Sequence, residues 1–547
     1  MKYAIGVDYG TLSARAVLVD ERGRCLAESV REYLHGVLEE ALPTGERLGV
    51  DWALQVPGDY REVFIDTVAR VVRESGVNPI DITGIGIDFT SCTVLPVLAD
   101  GTPLCELEAF RHEPHAYVKL WKHHAAQYCA DLVNEVAETR NEPWLPFYGS
   151  RISPEWTYPK ALQIAKESPH VYAAMDMLIE AGDWLVWQLC GVERCSVCNN
   201  GYKAQWRAGE GYPSRDFLRA LEPVMEDFAD TKLARRLYPI GSTAGFLTEE
   251  MAAKLGLTTD TAVAVGIIDA HASVPACGIG GPGKLLLVMG TSTCHLLLSE
   301  EEKSIPGICG VVRDGILPGY YAYEAGQSCV GDHFAWFVEN GVPASYRKEA
   351  DERGISLHAL LREQAEKKRP GESGLLALDW WNGVRSPLMD FDLSGLLVGM
   401  TLATRPEDIY RALIEATAFG TRTIVDGFVK GGVAVDELYA TGGIARKDPM
   451  TMQIYADVCN RSIHVADVGQ SGALGAAILG LSAGTGKDIG IVLSEMNFPG
   501  NRIYQPFPEN ARIYEELYAE YKQLTDYFAH TNTVMHRLKE LRVRVKA

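Results

Sequence analysis

A strand–turn–strand pattern occurs twice in this chain, once at the start and once near the middle. The first copy consists of the apolar runs Tyr3–Val7 and Ala14–Val19 around the polar turn Asp8–Thr11. The second copy spans Lys284–Leu298, with the turn at Gly290–Thr293. Two apolar runs joined by a short polar turn predict a β-hairpin. Two such hairpins in equivalent places predict two related α/β domains, each offering one polar loop.

The rest of the chain continues the α/β pattern. An apolar run at Glu437–Ala440 enters the turn Thr441-Gly442-Gly443, and a helical pattern follows from about Pro449 to Cys459. Strands alternating with helices are typical of α/β domains. With 547 residues, the chain is also too long for one hydrophobic core. We therefore predict an N-terminal domain over residues 1–258 and a C-terminal domain over 259–547, the latter including the last helices.

The net charge of the chain argues against some kinds of binding partner. The formal net charge is −20, whereas proteins that bind nucleic acid or anionic membranes usually present a basic face. We therefore expect neither nucleic acid nor membrane as a partner. The start of the chain lacks the long apolar run of a signal peptide, and no stretch of the sequence approaches a membrane span. These features predict a cytoplasmic protein; the oligomeric state is left open, with a homodimer as one alternative.

The first hairpin turn combines groups that suit a phosphate. Gly10 lets a phosphate approach the backbone closely, and the hydroxyls of Thr11 and Ser13 can donate hydrogen bonds to it. Asp8 would repel phosphate unless a cation lies between them, which suggests Mg²⁺ held through water. An ordinary polar turn is the alternative interpretation.

Two further turns strengthen the phosphate interpretation. Gly290 and Thr291 occupy the equivalent place in the second hairpin, so two loops could hold a polyphosphate from opposite sides. Gly442 and Gly443 form a third glycine turn, against which an adenosine could lie. Each turn alone could be structural, but all three in this order favour an ATP site.

Asp269 is the strongest candidate for a catalytic residue. It follows the apolar run Val265–Ile268 and precedes small residues. A strand end holds a carboxylate rigidly, and a carboxylate that accepts a hydroxyl proton assists phosphoryl transfer. The alternative is an aspartate that caps the following helix.

Together these segments resemble the FGGY family of sugar kinases, in the actin, Hsp70 and hexokinase superfamily. The resemblance covers essentially the whole chain, including Gly395–Met400, which is similar to the family's C-terminal signature. It implies an α/β fold of two actin-like (ribonuclease H-like) domains with an ATP cleft between them. It also implies that Asp269 is the catalytic aspartate, and that ATP and Mg²⁺ are used, with Asp8 and Asp269 as candidate metal residues.

Three segments resemble the branch of the family that phosphorylates L-ribulose, an early step of L-arabinose breakdown. They are Asp88–Thr93, Arg111–His123 and Leu378–Gly383. By that resemblance Ser91, Lys203 and Glu324 are candidate sugar contacts beside Asp269. The implied reaction is ATP-dependent phosphorylation of L-ribulose at its 5-hydroxyl. Alternatives are D-ribulose, ribitol or D-xylulose as substrate, or an ATP-switch protein of the actin or Hsp70 type.

Overall fold

The computed structural model describes residues 1–498 and 500–546 and shows two α/β lobes, each built around a seven-stranded sheet. In chain order the strands are β1 (Tyr3–Tyr9), β2 (Ser13–Asp20), β3 (Cys25–Glu32), β4 (Leu54–Gln55), β5 (Ile82–Phe89), β6 (Val94–Val97), β7 (Val118–Lys119), β8 (Met177–Glu180), β9 (Cys195–Ser196), β10 (Leu237–Tyr238), β11 (Thr243–Phe246), β12 (Ala262–Ala264), β13 (Ile267–Ile268), β14 (Gly283–Met289), β15 (Thr293–Ser299), β16 (Gly310–Arg313), β17 (Tyr321–Gln327), β18 (Leu376–Leu378), β19 (Leu396–Val398), β20 (Val435–Thr441), β21 (Ile463–Val465) and β22 (Arg502–Tyr504).

The helices fill the space around and between the sheets. In chain order they are α1 (Pro57–Ser75), α2 (Gln127–Thr139), α3 (Thr157–Glu167), α4 (Pro169–Ala174), α5 (Ala181–Cys190), α6 (Val197–Lys203), α7 (Arg215–Leu221), α8 (Phe228–Lys232), α9 (Glu249–Leu255), α10 (Asp269–Ala276), α11 (Gly331–Asn340), α12 (Ala344–Arg353), α13 (Leu357–Ala365), α14 (Pro406–Lys430), α15 (Gly443–Lys447), α16 (Pro449–Cys459), α17 (Ser471–Thr485), α18 (Ile489–Glu495), α19 (Pro508–Asp526) and α20 (Val534–Lys546).

The two large sheets share one topology. The first sheet has the order β11-β12-β5-β1-β2-β3, with β13 also paired to β5, and the second has the order β16-β17-β15-β14-β20-β21-β22. In each sheet the predicted hairpin is antiparallel, and its first strand pairs in parallel with a later strand: β1 with β5, and β14 with β20. This repeated pattern confirms the two-domain, actin-like architecture. We refer to the parts built on the first and second sheets as the first and second lobes.

The predicted boundary after residue 258 falls inside the first sheet. β12 pairs with β11 and with β5, and β13 also pairs with β5, so residues 262–268 complete that sheet. The sequence at 253–265 contains a genuine turn, but this turn joins α9 to β12 within the same lobe. We propose instead that the lobes divide between the end of α10 at Ala276 and the start of β14 at Gly283.

Two helices lie between the sheets. α17 packs on the inner face of β1 and β5, and α10 packs against α17. A Cβ atom placed on Gly6 would lie 1.8 Å from the carbonyl oxygen of Ala473, and one on Gly86 would lie 1.8 Å from that of Ala476. A Cβ on Gly84 would similarly meet the oxygen of Gly480 at 1.9 Å. The strand glycines therefore allow backbone-to-backbone packing of α17 on the first sheet, although α17 follows all strands of the second sheet except β22 in the chain.

The hydrophobic stretch at α17 and α18 reflects this packing. Ala476, Ile478 and Leu479 of α17 are fully buried between the sheets. Within residues 1–498 and 500–546, no individual helix has both the length and the apolar character of a membrane span. In the described part of the chain, the pair α17 and α18 meets that criterion when taken together, and the two helices are bent by 112° with respect to each other.

Candidate active site

A cleft of about 990 Å³, open to solvent, lies between the two lobes at the carboxyl ends of the first-sheet strands. Ligands of open α/β sheets usually bind at such strand ends. Five of the predicted site residues line this cleft, four from the first lobe and one from the second: Thr11, Ser91, Lys203, Asp269 and Glu324. The sequence predicted that these five residues, from separate segments, belong to one site, and in the structure they line the same cleft.

Three aspartates stand at the ends of neighbouring parallel strands. Asp8 of β1 is in register with Asp88 of β5, and Ile267 of β13 is also in register with Asp88. Asp269 follows β13 and is the first residue of α10. The parallel pairing therefore brings three carboxylates to the same edge of the first sheet.

Asp269 does not act as a helix cap. The capping position of α10 belongs to Ile268, and no side chain caps the helix there. The Oδ1 atom of Asp269 accepts a hydrogen bond from the amide of Ala270 at 2.7 Å, and the residue lines the cleft. Burial raises the pKa of Asp269 to about 7; the Ala270 amide opposes the rise, and the charge of Asp8 adds to it. A carboxylate with this pKa can accept a proton near neutral pH.

Asp88 is fully buried, and neither of its carboxylate oxygens has a hydrogen-bond partner within the described part of the chain. Burial raises the pKa of Asp88 well above its usual range, and the charges of Asp8 and Asp269 raise it further. Burial also raises the pKa of Asp8, against the opposing charge of Arg15. A buried carboxylate without a partner is costly, so this cluster favours a nearby cation.

The N-terminus of α17 faces the same carboxylates. A Cβ atom on Gly472 would lie 3.0 Å from Cγ of Asp8 and 3.3 Å from Oδ1 of Asp88. The positive end of a helix dipole stabilises negative charge at this place. Among residues 1–498 and 500–546, no three His, Cys, Asp or Glu side chains converge closely enough to hold a metal alone. Carboxylate oxygens are the ligand type that Mg²⁺ prefers, so an ion held here would take its remaining ligands from water or a bound ligand.

The same cleft also contains a buried ion pair between the lobes. The Nζ atom of Lys203, at the end of α6, lies 3.1 Å from each carboxylate oxygen of Glu324 on β17. Nε2 of His271 lies 3.0 Å from Glu324, and Nδ1 of His271 lies 3.2 Å from the thiol of Cys198. Burial alone would raise the pKa of Glu324, but Lys203 and His271 lower it well below its usual range. Glu324 is therefore ionised and held in one orientation.

Ser91 lies in a loop whose backbone is held by hydrogen bonds to buried side chains. The preceding strand is β5, and the next residue, Cys92, has a left-handed backbone with φ 58°. Lys160 is fully buried and donates to the carbonyl oxygens of Cys92 and Leu120, while the amide of Thr93 donates to Glu180 at 3.1 Å. The loop therefore presents Ser91 to the cleft in a defined position.

Each hairpin turn is closed by a backbone hydrogen bond from its glycine, although the second turn is one residue shorter than the first. The amide of Gly10 donates to the carbonyl of Ser13 at 3.0 Å, and the amide of Gly290 donates to that of Ser292 at 2.9 Å. Ser292 lines the cleft, whereas Gly10, Ser13, Gly290 and Thr291 form the turns that flank it. Indole Nε1 of Trp121 donates to the Thr11 hydroxyl at 3.1 Å, which leaves the hydroxyl proton of Thr11 free for a ligand.

The glycine turn after β20 lies beside the second hairpin. β20 is paired in parallel with β14, and Thr441 is in register with Val288. Gly442 has φ 99°, and a Cβ atom there would lie 2.2 Å from the carbonyl oxygen of Met289. Only glycine fits this close approach, and Gly443 then begins α15.

Sequence reasoning missed Asp88 and the cleft residues Glu155, Trp156 and Arg385. Asp88 carried a usable signal: it ends an apolar strand two residues after a glycine, as does Asp8, and Asp269 similarly ends a strand after Gly266. The other three lie in segments without periodic pattern, so local sequence gave no sign that they meet in the cleft.

Comparison with known proteins identifies the family. Models of the FGGY family of carbohydrate kinases match residues 3–275 with the N-terminal domain and residues 285–484 with the C-terminal domain. The chain belongs to the FGGY family of carbohydrate kinases. It is therefore an ATP-dependent sugar kinase, with ATP as phosphate donor. The two matched ranges agree with a division between residues 276 and 283.

Close relatives of this FGGY kinase cover its whole length. It is 54% identical to a protein named ribulokinase from Bacillus licheniformis, over 97% of this chain and 98% of that protein. It is 53% identical to a ribulokinase from Geobacillus thermodenitrificans, over 100% of this chain and 98% of that protein. A ribulokinase from Mycolicibacterium smegmatis is 47% identical over 99% of this chain and 96% of its own length.

Solved structures of more distant relatives share the fold of this FGGY kinase. The xylulose kinase from Rhodospirillum rubrum gives a TM-score of 0.79 at 23% identity, covering 96% of this chain and 99% of that one. A gluconate kinase from Lactobacillus acidophilus gives 0.80 at 18% identity, covering 97% and 99%. At these identities the likeness concerns the fold.

Proposed function

We propose that this FGGY kinase transfers the γ-phosphoryl group of ATP to the 5-hydroxyl of L-ribulose, giving L-ribulose 5-phosphate for the breakdown of L-arabinose. The observation that carries the reaction type is the Asp269 carboxylate, whose pKa is raised to about 7 at the base of the cleft. The full-length identity of 54% and 53% to proteins named ribulokinase supports L-ribulose as the sugar.

Asp269 acts as the general base in this proposal. It accepts the proton of the 5-hydroxyl as the oxygen forms a bond to the γ-phosphorus, and the bond to the bridging oxygen breaks to release ADP. Ser91, Lys203 and Glu324 hold the other sugar oxygens, because a fixed ion pair and a hydroxyl supply both donors and acceptors. The sugar thus lies between Asp269 and the buried ion pair.

The phosphates lie between the two hairpin turns. Backbone amides of the turns at Gly10 and Gly290 and the hydroxyls of Thr11, Ser13 and Thr291 donate hydrogen bonds that stabilise charge on the transferring group. The adenosine lies against the turn Gly442–Gly443. Asp8 and Asp269, with Asp88 behind them, would hold Mg²⁺ through water; the ion would neutralise charge on the β- and γ-phosphates.

The proposed function is tested by a coupled ADP-release assay with a panel of sugars. Mg²⁺–ATP is offered with L-ribulose, D-ribulose, ribitol, D-xylulose, glycerol or no sugar. We expect turnover with L-ribulose to exceed that with the other sugars and to be low without sugar. Preference for another sugar would refute the substrate but retain the reaction. Equal ATP turnover in every case would favour an ATP-switch protein.

Activity is expected to depend on pH through Asp269. The base must be ionised, and its pKa is raised to about 7, so kcat/KM for the sugar should increase with pH and level off above about 7. Each pH unit below that value should reduce kcat/KM about tenfold. The check is a pH–rate profile at saturating ATP; a profile that stays flat from about pH 5.5 to about pH 8.5 would contradict the assignment.

Replacing Asp8 with alanine is expected to increase the Mg²⁺ concentration needed for half-maximal activity by about 10- to 100-fold, the usual cost of losing a group that orients metal ligands. The measurement is a Mg²⁺ titration at fixed ATP. Asp260→Ala is the matched control, because Asp260 is exposed in the turn before β12. An unchanged titration in Asp8→Ala would remove Asp8 from metal binding.

A further inference from the structure

Arg385 is a charged residue that the second lobe contributes to the cleft. It lies in the segment between β18 and β19, and this segment is attached to β17 by two hydrogen bonds. The amide of Ser386 donates to the carbonyl of Gly326 at 2.9 Å, and the amide of Gly326 donates to the Ser386 hydroxyl at 3.2 Å. The amide of Met389 also donates to the Arg385 carbonyl at 2.7 Å. The backbone that carries Arg385 is therefore fixed.

The side chain of Arg385 extends across Gly326 toward the sugar end of the cleft. A Cβ atom on Gly326 would lie 3.1 Å from Cδ and 3.2 Å from Nη1 of Arg385. Gly326 is two residues after Glu324 on β17, so both positions are on the same face of the strand. The guanidinium therefore lies on the same side of the strand as Glu324, and both residues line the cleft with Ser91 and Lys203.

The Arg385 guanidinium is unpaired within the part of the chain that the structure describes. It forms no hydrogen bond or ion pair with any residue in the described ranges, although Glu155 and Glu324 line the same cleft. Burial alone would lower the pKa of Arg385, but Glu155, on the first lobe, raises it most. The other charged groups that line the cleft are carboxylates, which accept hydrogen bonds, and Lys203, whose ammonium group is already paired with Glu324. A partly buried arginine with free donors indicates a ligand that supplies acceptors.

We propose that Arg385 donates hydrogen bonds to oxygens of the bound sugar and is a specificity-determining residue that the second lobe contributes. This inference rests on the proposed function only in taking a sugar as the ligand. Glu155 faces the same space from the first lobe, so a sugar held by Arg385 is also held between the lobes. Sugar binding would thus favour the closed arrangement that excludes water from the transferring phosphoryl group.

The test compares Arg385→Gln and Arg385→Lys with the wild-type protein. Loss of a charge-assisted hydrogen bond should increase KM for L-ribulose about 10- to 100-fold in Arg385→Gln, with KM for ATP within about threefold of wild type. Arg385→Lys should give a smaller increase in KM for L-ribulose, because lysine keeps the positive charge but cannot donate two parallel hydrogen bonds as a bidentate guanidinium does. Arg313→Gln is the control, since Arg313 is on β16 of the same lobe and pairs with Asp314; it should leave both KM values unchanged.

A second measurement separates sugar binding from a purely structural role. L-Ribulose should raise the melting temperature of the wild-type protein and of Arg313→Gln, but raise that of Arg385→Gln much less. An unchanged sugar KM in a folded Arg385→Gln protein, or equal increases in KM for sugar and ATP, would overturn the inference. If Arg385→Gln has a lower melting temperature than wild type without sugar, the sugar KM and the sugar-dependent melting temperature of Arg385→Lys are used as the test instead. If wild type does not use L-ribulose, the proposed function fails, and the comparison is made with the sugar it does use.

Discussion

Replacing Asp269 with asparagine is expected to reduce kcat about 10²- to 10⁴-fold, the usual effect of removing a general base. Asparagine has nearly the same shape but cannot accept the hydroxyl proton. ATP should still bind, because the hairpin turns and Gly442–Gly443 are separate from Asp269. The measurements are kcat with saturating L-ribulose and a binding titration with ATP. Turnover within about threefold of wild type would show that Asp269 is not the base.

Stability provides an internal control for the Asp269 variant. The charge of Asp8 raises the pKa of Asp269, and the charge of Asp269 raises the pKa of Asp88. The three carboxylates therefore repel one another. Asp269→Asn removes one of these charges and should melt at the same temperature as wild type or higher. Asp260→Asn, an exposed substitution of the same chemistry, should leave both kcat and melting temperature unchanged. A loss of activity that accompanies a lower melting temperature would indicate structural damage instead.

Gly86→Ala is expected to be among the most damaging single-methyl changes in the protein. The added Cβ atom would lie 1.8 Å from the carbonyl oxygen of Ala476, and both groups are backbone-fixed in β5 and α17. Overpacking of this kind costs about 1–3 kcal/mol, and more where neither side can move. Because the N-terminus of α17 faces Asp8 and Asp88, displacement of the helix should also reduce activity. The measurements are the melting temperature and kcat/KM.

Gly427→Ala is the matched control for that variant. Gly427 lies within α14, and a Cβ atom there would have no neighbour within 4 Å. Alanine is about 1 kcal/mol more favourable than glycine in a helix interior, so Gly427→Ala should melt at the same temperature or higher. Equal behaviour of the two variants would show that close packing at Gly86 is not the reason for its glycine.

Local sequence pattern was sufficient for the parts of the fold that are local. Apolar runs joined by a short polar turn predicted both hairpins, and the structure extends their strands by at most two residues at any end. The helix at Pro449–Cys459 was predicted with the bounds that the structure shows. Asp8 was singled out by its place in the first polar turn and Asp269 by its place after an apolar run, and both signals are visible without knowing the partner strands.

Features that depend on distant partners were not predictable in this way. The predicted boundary after residue 258 differs from the division that we propose between residues 276 and 283, because the pairing of β12 with β5 cannot be read from residues 253–265 alone. Asp88 was treated only as part of a segment, since its proximity to Asp8 depends on the parallel register of β1 and β5. Glu155 and Arg385 are far apart in sequence, and only the closure of two lobes brings both to one cleft.

The position of α17 has a consequence for the order in which the chain folds during synthesis. β1 and β5 leave the ribosome early, but the helix that covers their inner face ends at Thr485 and is made long after them. Until then the nascent first sheet has Gly6, Gly84 and Gly86 facing no helix and an uncovered apolar surface. The first lobe therefore completes its core only after most of the second lobe has been synthesised. A fragment ending at Ala276 should consequently not form a stable unit, and lobes exchanged between relatives need their own α17.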